Sequence, residues 1–70
     1  NNSINVFPNP TPNGMIYIDG LQEPFEYYLF NISGKLVKMG SENDIQILRK
    51  GVYILKIKKE KSIIFRKIIY

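Results

Sequence analysis

Turn-forming residues recur about every eight to twelve positions in this chain, and that rhythm constrains the fold more than any other feature. The turns are Pro8-Asn9-Pro10, Asn13-Gly14, Asp19-Gly20, Ser33-Gly34, Gly40-Ser41 and Lys50-Gly51. Short segments rich in Ile, Val, Tyr and Phe lie between them. Pro, Gly and β-branched residues interrupt every window long enough for a helix. The pattern predicts an all-β fold, an immunoglobulin-like β-sandwich of about seven short antiparallel strands.

Residues 4–7 read as a first strand, ended by Pro8, which has no N–H to give a ladder. Residues 15–19 form a second, with Ile16 and Ile18 on one face and Met15 and Tyr17 on the other. Residues 25–30 form a third, with Phe25, Tyr27 and Leu29 inward and Glu26 outward. Residues 36–39 follow the Ser33-Gly34 turn as its hairpin partner, and residues 44–48 make a short strand or hook. Residues 52–58 alternate most cleanly, with Tyr53, Leu55 and Ile57 facing the core and Lys56 and Lys58 facing away. After a turn at Glu60-Lys61 the last strand covers residues 62–69. Its alternation is ambiguous, because Ile63, Phe65 and Ile69 oppose Ile64 and Ile68. A strand apolar on both faces is expected to be buried twice or to lie at an edge that meets a partner.

The whole chain, residues 1–70, is read as one domain with no linker and no internal repeat. A domain this short buries only about 60% of the surface its unfolded chain exposes, so its core is thin. The sequence contains no cysteine and no histidine. Disulfides, thiolate nucleophiles, the usual zinc ligands and the usual general base are all missing from the inventory. The carboxylates Asp19, Glu23, Glu26, Glu42, Asp44 and Glu60 are scattered, and nothing marks a pair for acid–base work or a calcium loop. The chain is therefore read as no enzyme, with no cofactor and no metal. The net charge of +4 is concentrated late, at Lys56, Lys58, Lys59, Lys61, Arg66 and Lys67. Such a bias suits an anionic partner. The lysines around Glu60 are expected to be a solvated face and turn rather than a nucleic-acid site. Phe25, Tyr27, Tyr53 and Phe65 are expected in the core rather than as platforms for bases. No apolar run approaches the roughly 20 residues of a membrane helix, and Asn1-Asn2-Ser3 lacks the regions of a signal peptide.

Three segments are distinctive. In Val6-Phe7-Pro8-Asn9-Pro10-Thr11-Pro12-Asn13-Gly14 the prolines are expected to hold the backbone extended, Asn9 to serve a local turn and Gly14 to take a positive φ. In Leu29-Phe30-Asn31-Ile32-Ser33-Gly34-Lys35-Leu36-Val37 a strand enters a tight turn and leaves as another strand. Asn31-Ile32-Ser33 also matches a glycosylation acceptor, a pattern frequent by chance. In Leu48-Arg49-Lys50-Gly51-Val52-Tyr53-Ile54-Leu55 the expectation is that Leu48 plugs the core, Gly51 turns the chain and Tyr53 opens a buried face. Taken singly, each segment is a structural device.

In their order and spacing the three segments, with the basic end Arg66-Lys67-Ile68-Ile69, resemble the C-terminal sorting domain of proteins exported by the type IX secretion system. The resemblance spans essentially the whole chain. It departs from the family pattern at Ile45-Gln46-Ile47, which runs straight into Leu48 without a longer spacer, and at Tyr70, where many members carry a basic residue.

The resemblance implies a Gram-negative exported protein whose N-terminal cargo is fused ahead of this domain. It implies transit through the periplasm, passage through an outer-membrane translocon to the cell surface or medium, and removal by a sortase-like peptidase. It also implies recognition at Pro8, Asn9, Pro10, Gly34, Lys35, Gly51, Tyr53, Arg66 and Lys67, with the final strand and the Gly34 turn as the preferred contact regions. Two other classes fit the residues: a small immunoglobulin-like adhesion or carbohydrate-binding module, and a basic β-module for single-stranded nucleic acid, of which the last is disfavoured.

Overall fold

The computed structural model describes residues 4–22 and 24–70. Asn1, Asn2, Ser3 and Glu23, which entered the sequence reading, lie outside the described residues. Seven strands follow in chain order: β1 (Asn5–Phe7), β2 (Met15–Asp19), β3 (Phe25–Asn31), β4 (Leu36–Gly40), β5 (Asp44–Gln46), β6 (Val52–Lys59) and β7 (Ser62–Ile69). They form two antiparallel sheets, one of three strands in the order β1-β2-β5 and one of four in the order β4-β3-β6-β7. Each strand matches a segment of apolar alternation, and each connection falls on a turn signal. The all-β sandwich expected from the turn rhythm is the observed fold.

The core is what the inner parities of the two sheets bring together. Ile16, Ile18 and Ile45 come from the smaller sheet, and Tyr27, Leu29, Tyr53, Leu55, Ile57 and Ile68 from the larger. Burying such side chains contributes about 1.5–3 kcal/mol each, reduced by the ordering entropy of a short chain. Register settles the ambiguous last strand. Ile64 opposes Ile57 and Ile68 opposes Tyr53, which puts both on the inner face, while Phe65 opposes Lys56 and Ile63 opposes Lys58. Phe65, expected in the core, is instead 59% exposed on the outer face of an edge strand.

Two further expectations are corrected. Leu48 does not plug the core, being 86% exposed. Ile47 takes that place because it continues the parity of Ile45 beyond the end of β5, held by its N–H on the Gly14 carbonyl at 2.7 Å. The segment around Pro8 and Pro10 bends instead of running extended. Asn9 turns there onto β7, a contact that no local reading anticipates.

Candidate functional site

The strand register gathers all three distinctive segments at one end of the sandwich. β1 ends at Phe7 opposite Tyr17, β2 begins with Met15 opposite Gln46, β3 ends at Asn31 opposite Tyr53, and β7 closes with Ile69 opposite Val52. Residues 8–14, 32–35 and 47–51 are the connections at that end, and Tyr70 lies among them.

The connection after β1 is a clasp on the edge of β7. The Asn9 side-chain amide donates to the Lys67 carbonyl at 2.6 Å and accepts from the Ile69 N–H at 3.0 Å, so one side chain pairs with β7 as a neighbouring strand's peptide would. The Thr11 N–H continues the pairing by donating to the Ile69 carbonyl at 2.8 Å. Thr11 is itself buried, and its hydroxyl donates to the Met15 carbonyl and accepts from the Gly14 N–H. Gly14 has φ +84°, and a Cβ there would collide with the Ile47 carbonyl and the Tyr70 ring. Pro8 and Pro10 flank the Asn9 clasp and are exposed.

The connection between β3 and β4 is organised by one side chain. The Asn31 Oδ1 accepts from the Ser33 N–H, the Ser33 hydroxyl and the Lys35 N–H. Gly34 follows at φ +88° with open space around it, so its requirement is conformational and not steric. Lys35 is exposed beside it. In the third connection Gly51 exchanges both backbone hydrogen bonds with Tyr70, and the Tyr53 hydroxyl donates to the Arg49 carbonyl at 2.6 Å. Tyr53 is thus both core and latch.

Of the nine residues singled out in the sequence, Asn9, Gly51 and Tyr53 are joined in this hydrogen-bonded end, and Pro8, Pro10, Gly34 and Lys35 lie on its surface. Arg66 and Lys67 differ from each other. The Arg66 guanidinium donates to the Phe65 and Ile4 carbonyls along the β1–β7 side, and Lys67 stands on the outer face opposite Ile54. Sequence reasoning missed Thr11, whose partners are the backbone at Gly14, Met15 and Ile69. The signal available was its place between two prolines and ahead of Asn13-Gly14.

Beside this end a groove of about 610 Å³ runs between the Asn31–Lys35 turn and the segment after β5. Lys35, Lys38, Arg49, Leu48, Leu29 and Tyr53 are among its lining residues, and no carboxylate is. Among the described residues no group of three His, Cys, Asp or Glu side chains could hold a metal ion. Among the described residues no helix is long and apolar enough to cross a membrane. The N–H groups of Glu42 and Ser41, with Lys38 nearby, hold the Glu42 carboxyl below its usual range. Donation to Glu26 raises the Tyr28 phenol, and burial raises the Tyr27 phenol. The arrangement presents a fixed surface and a tethered C-terminal strand.

Among known families, the model of the secretion system C-terminal sorting domain matches residues 5–70. The chain belongs to this family. No curated protein matches the chain. The match makes it a C-terminal sorting signal of the type IX secretion system, a family of signals rather than a class of enzymes. It implies export toward the cell surface or medium. In this sorting domain, residues 5–70 take in all three motif segments and the final strand together.

Proposed function

We propose that this sorting domain is the tail of a larger precursor. Its N-terminally fused cargo crosses the periplasm, passes the outer-membrane translocon of the type IX system, and is then separated from the tail by a sortase-like peptidase. The machinery is proposed to read the end of the sandwich that carries Pro8, Asn9, Pro10, Gly34, Lys35, Gly51, Tyr53, Arg66 and Lys67. What supports this reading is that three segments far apart in sequence meet at one end of the sandwich. Two of them, through Asn9, Thr11 and Gly51, are bonded to the C-terminal residues Lys67, Ile69 and Tyr70, so that an intact tail and a closed sandwich end go together. A receptor that recognises this end samples only complete, folded cargo tails.

The test is transplantation. A reporter carrying a signal peptide and this chain is expected at the surface or in the medium of a host with a matching type IX system. Deletion of residues 62–70 is expected to leave it in the periplasm. Because that deletion also removes β7, the paired Arg66→Glu and Lys67→Glu variant separates recognition from unfolding. A folded double variant with normal export would move recognition away from the basic end. Failure of the intact chain, in a host where another tail of this family succeeds, would replace the sorting reading by an adhesion module.

A further inference from the structure

A feature that the sorting site touches only at Lys67 is the outer face of the four-stranded sheet. Cross-strand register sets its rows: Met39, Tyr28, Lys56 and Phe65 in one, then Leu36, Phe30, Ile54 and Lys67, then Glu26, Lys58 and Ile63, with Val52 and Ile69 at the end. An outer sheet face ordinarily alternates to polar residues. Here Phe65, Met39 and Ile63 are each more than half exposed, and Leu36, Ile54 and Ile69 are exposed beside them. Contiguous apolar surface of this kind marks an interaction site.

The charges on this face choose the occupant. Lys56, Lys58 and Lys67 project from it, and Glu26, its one carboxylate among the described residues, already accepts from the Tyr28 hydroxyl at 2.8 Å. Lys56 is not at the rim. It stands between Tyr28 and Phe65, its ammonium 5.5 Å from the centre of the Tyr28 ring. An occupant that covers the apolar residues must bring an anion to the middle of the contact. A bilayer pressed onto the face would leave that lysine in hydrocarbon. A second copy laid face to face would oppose lysines to lysines.

We propose that this face docks on a protein surface with an apolar centre and carboxylates set among it, and that this contact is part of export. The inference rests on the sorting reading and deepens it by naming the surface and the chemistry of its partner. Four strands make the face roughly 15–20 Å wide and about 25 Å long, or about 400–500 Å². That is below the roughly 800 Å² per partner of a stable complex, and suits a contact made and released in transit.

The experiment compares export of the reporter bearing the whole chain with export of Lys56→Glu, Phe65→Ser and, as a control in the β6–β7 turn, Lys61→Glu. The two face variants are expected to lower export about tenfold with unchanged thermal melting, and the control to leave it unchanged. If Lys56→Glu does not fold, Lys56→Gln carries the same expectation at smaller size. Normal export of folded face variants, with the parent chain exported, overturns this surface while leaving the sorting reading intact. Failure of the parent chain where another family tail succeeds overturns both. Two direct probes separate the other occupants. Binding of the isolated chain to phosphatidylglycerol vesicles, lost in Phe65→Ser in step with export, would overturn the proposal in favour of lipid. Concentration-dependent self-association of the isolated chain, lost in Phe65→Ser in step with export, would overturn it in favour of a second copy.

Discussion

Asn9 shows how one side chain can stand in for a length of strand. Its amide meets the Lys67 carbonyl and the Ile69 N–H together, on an edge that would otherwise face water. Removing it by Asn9→Ala is expected to cost about 1–2 kcal/mol, two modest hydrogen bonds in a solvent-accessible place, read as a lower urea midpoint at constant m-value. Asn9→Asp keeps the acceptor and loses the donor, which sets a carboxylate against a carbonyl. The folded state then favours the protonated form, so the variant's deficit narrows as pH falls into the usual carboxylate range near about 4. A deficit independent of pH would mean that the Lys67 contact contributes nothing. Tyr27 is the opposite case. Its hydroxyl is buried with no hydrogen-bond partner among the described residues, and burial raises its pKa. Tyr27→Phe is therefore expected to be neutral or stabilising by about 1 kcal/mol. A raised folded pKa leaves stability intact below the unfolded value of about 10 and erodes it above, since only the unfolded phenol ionises readily there. The variant should lose less stability than the parent on going above that pH, as followed by thermal melts. The Tyr28 phenol, raised through Glu26, keeps some of the slope in both. Neither role was legible in the sequence. Asn9 reads as a local turn because its partners are about sixty residues away, and inward parity says nothing about what a hydroxyl will find.

At the scale of the strand, legibility follows how many faces are apolar. β6 alternates between Tyr53, Leu55 and Ile57 and the lysines, and its burial follows that pattern without exception from Tyr53 to Lys58. β7 is apolar on both parities, so only pairing with β6 decides which side is core. Aromatic size favoured placing Phe65 inside, and register overrode it. Ile68→Ala is accordingly expected to cost about 2–5 kcal/mol, whereas Phe65→Ala should stay within about 0.5 kcal/mol in the isolated chain. Equal losses in the two variants, measured by chemical unfolding, would mean that β7 is out of register. Leu48 carries the same lesson. A period-2 count from Ile45 leads to Ile47 and not to Leu48, but a chain leaving its strand is free to break that count. The Ile47 N–H on Gly14 prolongs the parity by one step, and that bond joins two segments the sequence keeps far apart. The convergence of three motifs at one end was implicit in the antiparallel order of the strands. The clasp of the first motif on β7 was not, because it runs through the Asn9 side chain and the Thr11 N–H to residues far along the chain.

For the molecule as a whole, the two long sides of the sandwich are held unequally. Along β1 and β7 the sheets are tied by Asn9, by the Thr11 N–H on Ile69 and by the Arg66 guanidinium on Ile4. Along β4 and β5 the bridge between them among the described residues is the Lys38 ammonium on the Gln46 carbonyl, and the groove opens beside it. A thin core gives little reserve, so the side with fewer ties should open first. Native-state hydrogen exchange is expected to divide the backbone accordingly. Amides of β3 and β6, the inner strands of the larger sheet, should exchange only on global unfolding. The Ile69 amide should approach them although β7 is an edge strand, because the Asn9 side-chain Oδ1 accepts from it. The amides of β4 that face away from β3, and those of β5, should exchange by local opening. Asn9→Ala should then accelerate Ile69 selectively and leave β4 unchanged. If Ile69 in the parent chain exchanges as fast as the outward amides of β4, the clasp is not closed in solution. The C-terminal strand would then be free at its outer edge, and the coupling between an intact tail and a folded sandwich would have to come from its pairing with β6, the Gly51–Tyr70 bonds and the core contacts of Ile64 and Ile68.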